Sequence, residues 1–302
     1  MSVLVVGSVA FDTLKTPHGD VDKILGGAAT HFALASSFFT QTDVVAVVGD
    51  DFTESERKVF DGRSIDLTGL EVAEGKTFRW GGEYSQDMNV RTTLFTELNV
   101  FETFRPKIPE AYRESEYVFL GNIHPELQLE VLEQVKKPRL VAADTMNFWI
   151  EGTPEPLAEL LKKIDMLLIN DEEARLLSGE YNLVRAAEKV RSMGPKTLVV
   201  KRGEHGVLLF GEGDRFAAPG YPLETVFDPT GAGDTFGGGF MGYIASSQSS
   251  SNEILRQAIV FGSVLGSFCV EDFGTRRLEV LTRDQVTERY REFKRLTDFE
   301  DI

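Results

Sequence analysis

The chain has 302 residues, 42% of them hydrophobic, enough to bury the core of one large α/β domain. Lys and Arg number 32 against 48 Asp and Glu, a formal net charge of −16. That balance disfavours nucleic acid and anionic lipid as partners, and any bound anion needs a local reversal of potential. The single cysteine, Cys269, excludes an intrachain disulfide and a cysteine-rich metal site, and fits a reducing cytoplasm.

The first seven residues, Met1 to Gly7, form an apolar run without a basic leader, which predicts a strand rather than a signal peptide. No stretch of about 18 consecutive apolar residues occurs, so no transmembrane helix is expected. Asp12 follows this first strand, at the end where open α/β sheets bind ligands. Gly26 and Gly27 then open a helix expected over Thr30–Phe39. His31 lies on it and, taken alone, reads as a packing or surface residue.

Further apolar strands are expected at Val44–Val48, Tyr117–Leu120, Leu140–Ala143, Met166–Ile169 and Thr197–Val200, beside Val3–Val6. Helical patterns lie between them at Glu126–Val135, Pro156–Ile164, Glu172–Ser178 and Leu183–Ser192. This alternation predicts an α/β fold with a doubly wound, mainly parallel sheet flanked by helices. Gly69 to Thr77 nearly spells a Walker A loop, but it has one residue too many between its glycines, and it does not link a strand to a helix. Phe78–Tyr84 and Val90–Phe95 break the rhythm as two strands about a polar turn. Such a ribbon is either an edge hairpin or a small lid over a site. No Pro-rich linker divides the chain, which is expected to be one domain over residues 1–302, with a lid near residues 12–24 and 77–104.

Polar residues follow several strand ends: Asn147 after Leu140–Ala143, and Asn170 and Glu173 after Met166–Ile169. Lys201, Gly203 and Gly206 follow Thr197–Val200 as the start of a tight turn. The strongest feature runs from Asp228 to Phe240, where Gly231-Ala232-Gly233-Asp234 turns into a helix with apolar spacing to Ile244. Free N–H groups and the helix dipole make such a start an anion site, and glycines allow close approach. Asp234 places a carboxylate at its mouth, suited to accept a proton from an attacking hydroxyl. A helix N-terminus is expected to lower its pKa. Gly262 and Ser263 lie on a late helix, Ile254–Val270, where small residues serve either close helix packing or room for a flat ring.

The stretch Asp228–Phe240 resembles the C-terminal signature of the PfkB/ribokinase family of carbohydrate and nucleoside kinases. Gly26-Gly27, Asn170-x-x-Glu173 and the Val199–Phe210 segment are similar to further elements of that family, in the same order. The resemblance implies a ribokinase-like fold and ATP-dependent transfer of a phosphoryl group to a sugar or nucleoside hydroxyl. Asp234 is then the catalytic base, and the amides of Gly231, Ala232 and Gly233 the anion hole. Asp12, Gly26, Gly27, His31 and Asn147 face the acceptor; His31 stands where many relatives carry Asn. Asn170, Glu173, Lys201, Gly203, Gly206, Gly262 and Ser263 face the nucleotide, with Glu173 placing Mg²⁺, in part through water. The implied cofactors are ATP and Mg²⁺, with room for a monovalent cation; the implied assembly is a monomer or a lid-mediated homodimer. Two other classes compete. A non-catalytic nucleotide-binding protein on the same fold has no need of Asp234, and a Rossmann dehydrogenase requires a Gly-x-Gly-x-x-Gly after the first strand, which is absent here.

Overall fold

The computed structural model describes residues 1–300. Thirteen strands form two sheets. They are β1 (Ser2–Val6), β2 (Ala10–Thr16), β3 (Gly19–Gly26), β4 (Gln41–Val48), β5 (Ile65–Val72), β6 (Phe78–Tyr84), β7 (Arg91–Glu97), β8 (Tyr117–Leu120), β9 (Leu140–Asp144), β10 (Met166–Asn170), β11 (Thr197–Lys201), β12 (Val207–Phe210) and β13 (Arg215–Ala218). The large sheet has nine strands in the order β13-β12-β11-β10-β9-β8-β1-β4-β5. All its neighbours are parallel except β11–β12 and β12–β13.

Alternation along each strand sends side chains into two cores. Val3 and Val5 face a cluster with Phe32, Phe236, Phe240 and Ile259. Leu4 and Val6 face the other, with Val131, Leu160 and Val190. The first cluster is covered by α1 (Ala28–Ser36) and, later in the chain, two long helices. The second is covered by a series that follows α2 (Glu54–Arg57): α3 (Pro125–Gln134), α4 (Asn147–Gly152), α5 (Pro154–Leu161), α6 (Asp171–Ser178) and α7 (Leu183–Arg191). The two long helices are α8 (Ala232–Ser247) and α9 (Asn252–Cys269), followed by α10 (Arg276–Val280) and α11 (Arg283–Thr297). Helices on both faces of a mainly parallel sheet match the expected architecture. Among the described residues, no helix is long and apolar enough to cross a membrane.

The small sheet has the order β3-β2-β6-β7. Its second half is the expected ribbon, with the later strand running over Arg91–Glu97 rather than Val90–Phe95. Its first half, β2 and β3, comes from the segment around Asp12. That residue sits on a strand of the small sheet. The polar turns and mixed alternation of this stretch hide it from a search for all-apolar runs.

Candidate active site

Three neighbouring strands of the large sheet end side by side at Asp144, Asn170 and Lys201. Asn170 pairs in register with Lys201, and Asp144 with Leu168. Asn170 caps α6: its Oδ1 accepts from the Glu173 N–H at 2.8 Å, and Glu173 Oε2 accepts from the Asn170 N–H at 2.8 Å. The Asn-x-x-Glu element is thus a reciprocal capping box, which fixes the Glu173 carboxylate. Asp171, next to it, pairs with Arg175 and is spent on the helix.

The turn into α8 lies over these strand ends. Gly231 is its N-cap, with φ +74°, and a side chain there would strike the His31 ring at 2.4 Å. Only glycine fits both the left-handed backbone and that contact. Ala232, Gly233 and Asp234 form the first turn of a helix of 16 residues. Lys201 Nζ stands 3.0 Å from the point where a Cβ on Gly233 would project, so its ammonium lies against the helix start. Asp228 anchors the turn from below, accepting from the N–H of Thr230 (2.8 Å) and of Gly274 (2.9 Å).

Burial raises Asp234 above its ordinary value, opposed by the charges of Lys201 and Arg91 and by a backbone hydrogen bond. The helix start therefore does not depress it as expected: loss of water around the carboxylate outweighs the positive end of the helix. Asp144 is raised well above its ordinary range by burial and then by the charge of Asp234, with Lys201 opposing. Its Oδ1 has no hydrogen-bond partner, and neither does the neighbouring Thr145 hydroxyl. Glu173 is raised by burial, against the pull of Lys201. Three raised carboxyl groups thus feel the charge of one ammonium.

At the other end of the cleft, Asp12 leans over Gly26, where a Cβ would lie 2.0 Å from its Oδ2. Gly27 starts α1 with φ +95°. Burial and the charges of Asp228 and Asp234 push Asp12 up to about 8. The small sheet reaches the α8 turn directly: Tyr84 Oη and Thr230 Oγ1 lie 2.9 Å apart. At its tip, Asn89 Nδ2 donates to Glu204 Oε1 at 3.4 Å, in the β11–β12 turn shaped by Gly203 and Gly206. The ribbon is therefore no free edge hairpin.

Other expected residues are placed differently. His31 is wholly buried beneath Gly231, with Nδ1 3.7 Å from the Cys269 sulfur and Nε2 without a partner. Burial lowers it to about 4, so the ring is neutral at ordinary pH. Asn147 is exposed at the start of α4, while the polar atoms turned inward nearby belong to Asp144 and Thr145. Gly262 faces Phe236 and Gly239 across the α8–α9 crossing, where it permits close helix packing. The Ser263 hydroxyl donates to the Ile259 carbonyl of its own helix at 2.9 Å. Sequence reasoning missed Asp144 and Arg91. The first was legible as the terminal acid of a buried strand; the second lay within the expected strand Val90–Phe95, where nothing local sets one arginine apart.

Residues 2–281 match the family described as pfkB family carbohydrate kinase. A cytidine kinase of Thermococcus kodakarensis is 29% identical over 247 residues, covering 80% of this chain and 87% of that one. Among solved structures, the nucleoside kinase of Methanocaldococcus jannaschii superposes with a TM-score of 0.76 at 22% identity, covering 96% of this chain and 98% of that one. The aminoimidazole riboside kinase of Salmonella enterica, solved with aminoimidazole riboside and an ATP analog, gives 0.77 at 20% identity over 96% of this chain and all (100%) of that one.

Proposed function

The chain belongs to the pfkB family of carbohydrate kinases, and from that premise we propose that it moves the γ-phosphoryl group of ATP onto a hydroxyl of a nucleoside or small sugar held between Asp12 and Asp234. The observation that carries this reading is the first turn of α8, where Asp234 shares a helix start with the open N–H groups of Gly231 and Gly233, that of Ala232 donating to the Pro229 carbonyl at 3.3 Å, and with the Lys201 ammonium. Asp234 takes the proton of the acceptor hydroxyl as its oxygen attacks the γ-phosphorus. The bond from phosphorus to the bridging oxygen breaks, and ADP leaves with that oxygen. Charge on the moving group rests on the amides of Gly231, Ala232 and Gly233 and on Lys201. A base held above the ordinary carboxylate range accepts a proton more readily.

Among the described residues, no group of three or more His, Cys, Asp or Glu side chains is arranged to hold a metal. Mg²⁺ in this reading arrives with the ATP phosphates, whose charge it offsets, and meets the protein at Glu173 directly or through water. The free oxygen of Glu173 and the unpartnered Asp144 Oδ1 suit that role.

At the acceptor end, an Asp12 carboxyl without a cation nearby suits a neutral polyol, whose hydroxyls can donate to it. Tyr84 on the small sheet offers an aromatic surface for a base, the Trp80 ring being covered by the Arg91 guanidinium. The names of the T. kodakarensis and M. jannaschii proteins favour a nucleoside over a simple sugar. The test is ADP release with cytidine, adenosine, inosine, ribose and fructose. Acceptor-dependent turnover with a nucleoside supports the reading, and turnover no higher than acceptor-free ATP hydrolysis across the panel rejects it.

A further inference from the structure

The carboxyl ends of β8 and β9 are tied together twice. The buried amide of Gln128, on α3, donates to the carbonyls of Leu120 (3.2 Å), Gly121 (2.9 Å) and Asp144 (3.2 Å). Asn122 makes the second tie: its Nδ2 donates to the Met146 sulfur at 3.1 Å, and its Oδ1 accepts from Trp149 Nε1 at 2.8 Å. The indole of Trp149, on α4, is therefore fixed to the end of β8. Two further rings meet it edge-on, His124 at 5.1 Å and Phe148 at 4.7 Å.

The strand ends fix where this cluster lies. The Gly121 N–H donates to the Val6 carbonyl at 2.8 Å, and a side chain on Gly121 would meet the Ala28 methyl at 3.8 Å, at the start of α1 that Gly27 opens. Asn122 thus leaves the sheet beside the turn that holds Asp12. Asp144 and Thr145 lead into α4 from the other side and turn unpartnered polar atoms inward. The rings border the cleft at the strand ends where open α/β sheets take ligands. Phe148 is 63% exposed there and stands at 77° to the indole, so a face of its ring is open. Asp12 can hold the hydroxyls of an acceptor. A nucleoside carries, beyond its sugar, a flat base that a free sugar lacks, and an aromatic wall suits such a group.

We propose that Phe148, backed by Trp149, stacks on the base of a nucleoside acceptor and makes the site prefer a nucleoside to its free sugar. The proposal rests on the kinase reading above and names the part of the acceptor that sets its specificity. Phe148 touches the acceptor; Asn122 is a positioning residue that acts by holding Trp149 behind it.

Calorimetry with cytidine, adenosine and ribose tests it, because only the first two carry a base. The wild type should bind both nucleosides more tightly than ribose. Phe148→Ala, at an exposed position that leaves the fold intact, should weaken both nucleosides about tenfold, the loss usual for one stacked base, and keep ribose within about twofold. Phe148→Tyr should recover most of that loss, since the ring stays. Asn122→Ala should weaken the nucleosides about threefold in the wild-type background and no further in Phe148→Ala, since coupled residues are not additive. Nucleosides held no tighter than ribose, equal losses for nucleosides and ribose, unchanged affinities in Phe148→Ala, or additive losses for Asn122→Ala would overturn the proposal. Binding is read without turnover, so the two readings fail separately. Phe148-dependent nucleoside binding without ADP release would sink the kinase reading alone, and ADP release with a nucleoside indifferent to Phe148 would sink this one alone.

Discussion

Asp12 and Asp234 stand at opposite ends of one cleft, and both are held above the ordinary carboxylate range by burial. Their neighbours differ. Every influence resolved on Asp12 raises it, and the charges among them, Asp228 and Asp234, are carboxylates. Asp234 is opposed by Lys201, Arg91 and a backbone hydrogen bond. One end of the cleft is hostile to anions and can bind neutral hydroxyl groups; the other has cations and free amides ready for a negative charge. The difference teaches that two buried acids in one site are assigned their tasks by the charges around them, not by burial.

The largest expected effect comes from removing the acid at the cationic end. Asp234→Asn should lower turnover by roughly 10²–10⁴, the usual cost of losing a positioned base, with AMP-PNP affinity nearly unchanged. Steady-state kinetics and calorimetry on one preparation check it. Next, Lys201→Ala should lower kcat by roughly 10–100-fold through the loss of charge-assisted contacts to phosphate. It should also shift the acid limb of the pH–rate profile upward. Lys201 holds Asp234 and Glu173 down, so without it each carboxylate needs a higher pH to ionise. A limb that stayed in place or moved to lower pH would break the contrast between the two ends.

The anion-hostile end makes a different prediction. Asp12 titrates near 8 in the folded chain against 3.8 as its ordinary value. Between those values the unfolded chain has shed a proton that the folded chain keeps, so stability falls as pH rises through the window. Asp12→Asn removes that loss. Its melting temperature should exceed that of the wild type by a margin that grows from pH 5 to pH 8, while the acceptor KM rises about tenfold as hydrogen bonds are lost. A margin that shrank over that range would show that Asp12 is ionised in the fold.

The smallest effect concerns the helix crossing. Gly262→Ala places a methyl 2.9 Å from the Phe236 ring and backbone. It should cost about 1–3 kcal/mol of stability by overpacking, and leave the ATP KM of the folded enzyme unchanged. A raised KM with normal stability would restore a direct role beside the nucleotide.

The layered α/β fold was legible because strands buried on both faces are written as apolar runs, as at Val3–Val6 and Met166–Ile169. The Asp228–Phe240 stretch was legible because its glycines answer to local backbone demands. Three things were not. β2 and β3 mix apolar residues with Asp12, Asp20 and Asp22, so the all-apolar pattern that marks the strands of the large sheet is missing there. The upward shift of Asp234 depends on the packing of distant segments around it, which local spacing does not encode. Arg91 gains its meaning from a pairing with Tyr84 and a contact of Tyr84 with Thr230, which is 146 residues away in the chain. His31 shows the converse: its position in the helix was plain, but its placement beneath Gly231 required the fold.

The most direct test is a crystal structure with Mg²⁺·AMP-PNP and an acceptor that supports turnover. The account predicts the terminal phosphoryl group over the amides of Ala232 and Gly233, with an Asp234 oxygen within about 3.2 Å of the acceptor hydroxyl. A terminal phosphate bound elsewhere, with the Asp234 carboxylate turned away from the acceptor, would contradict it.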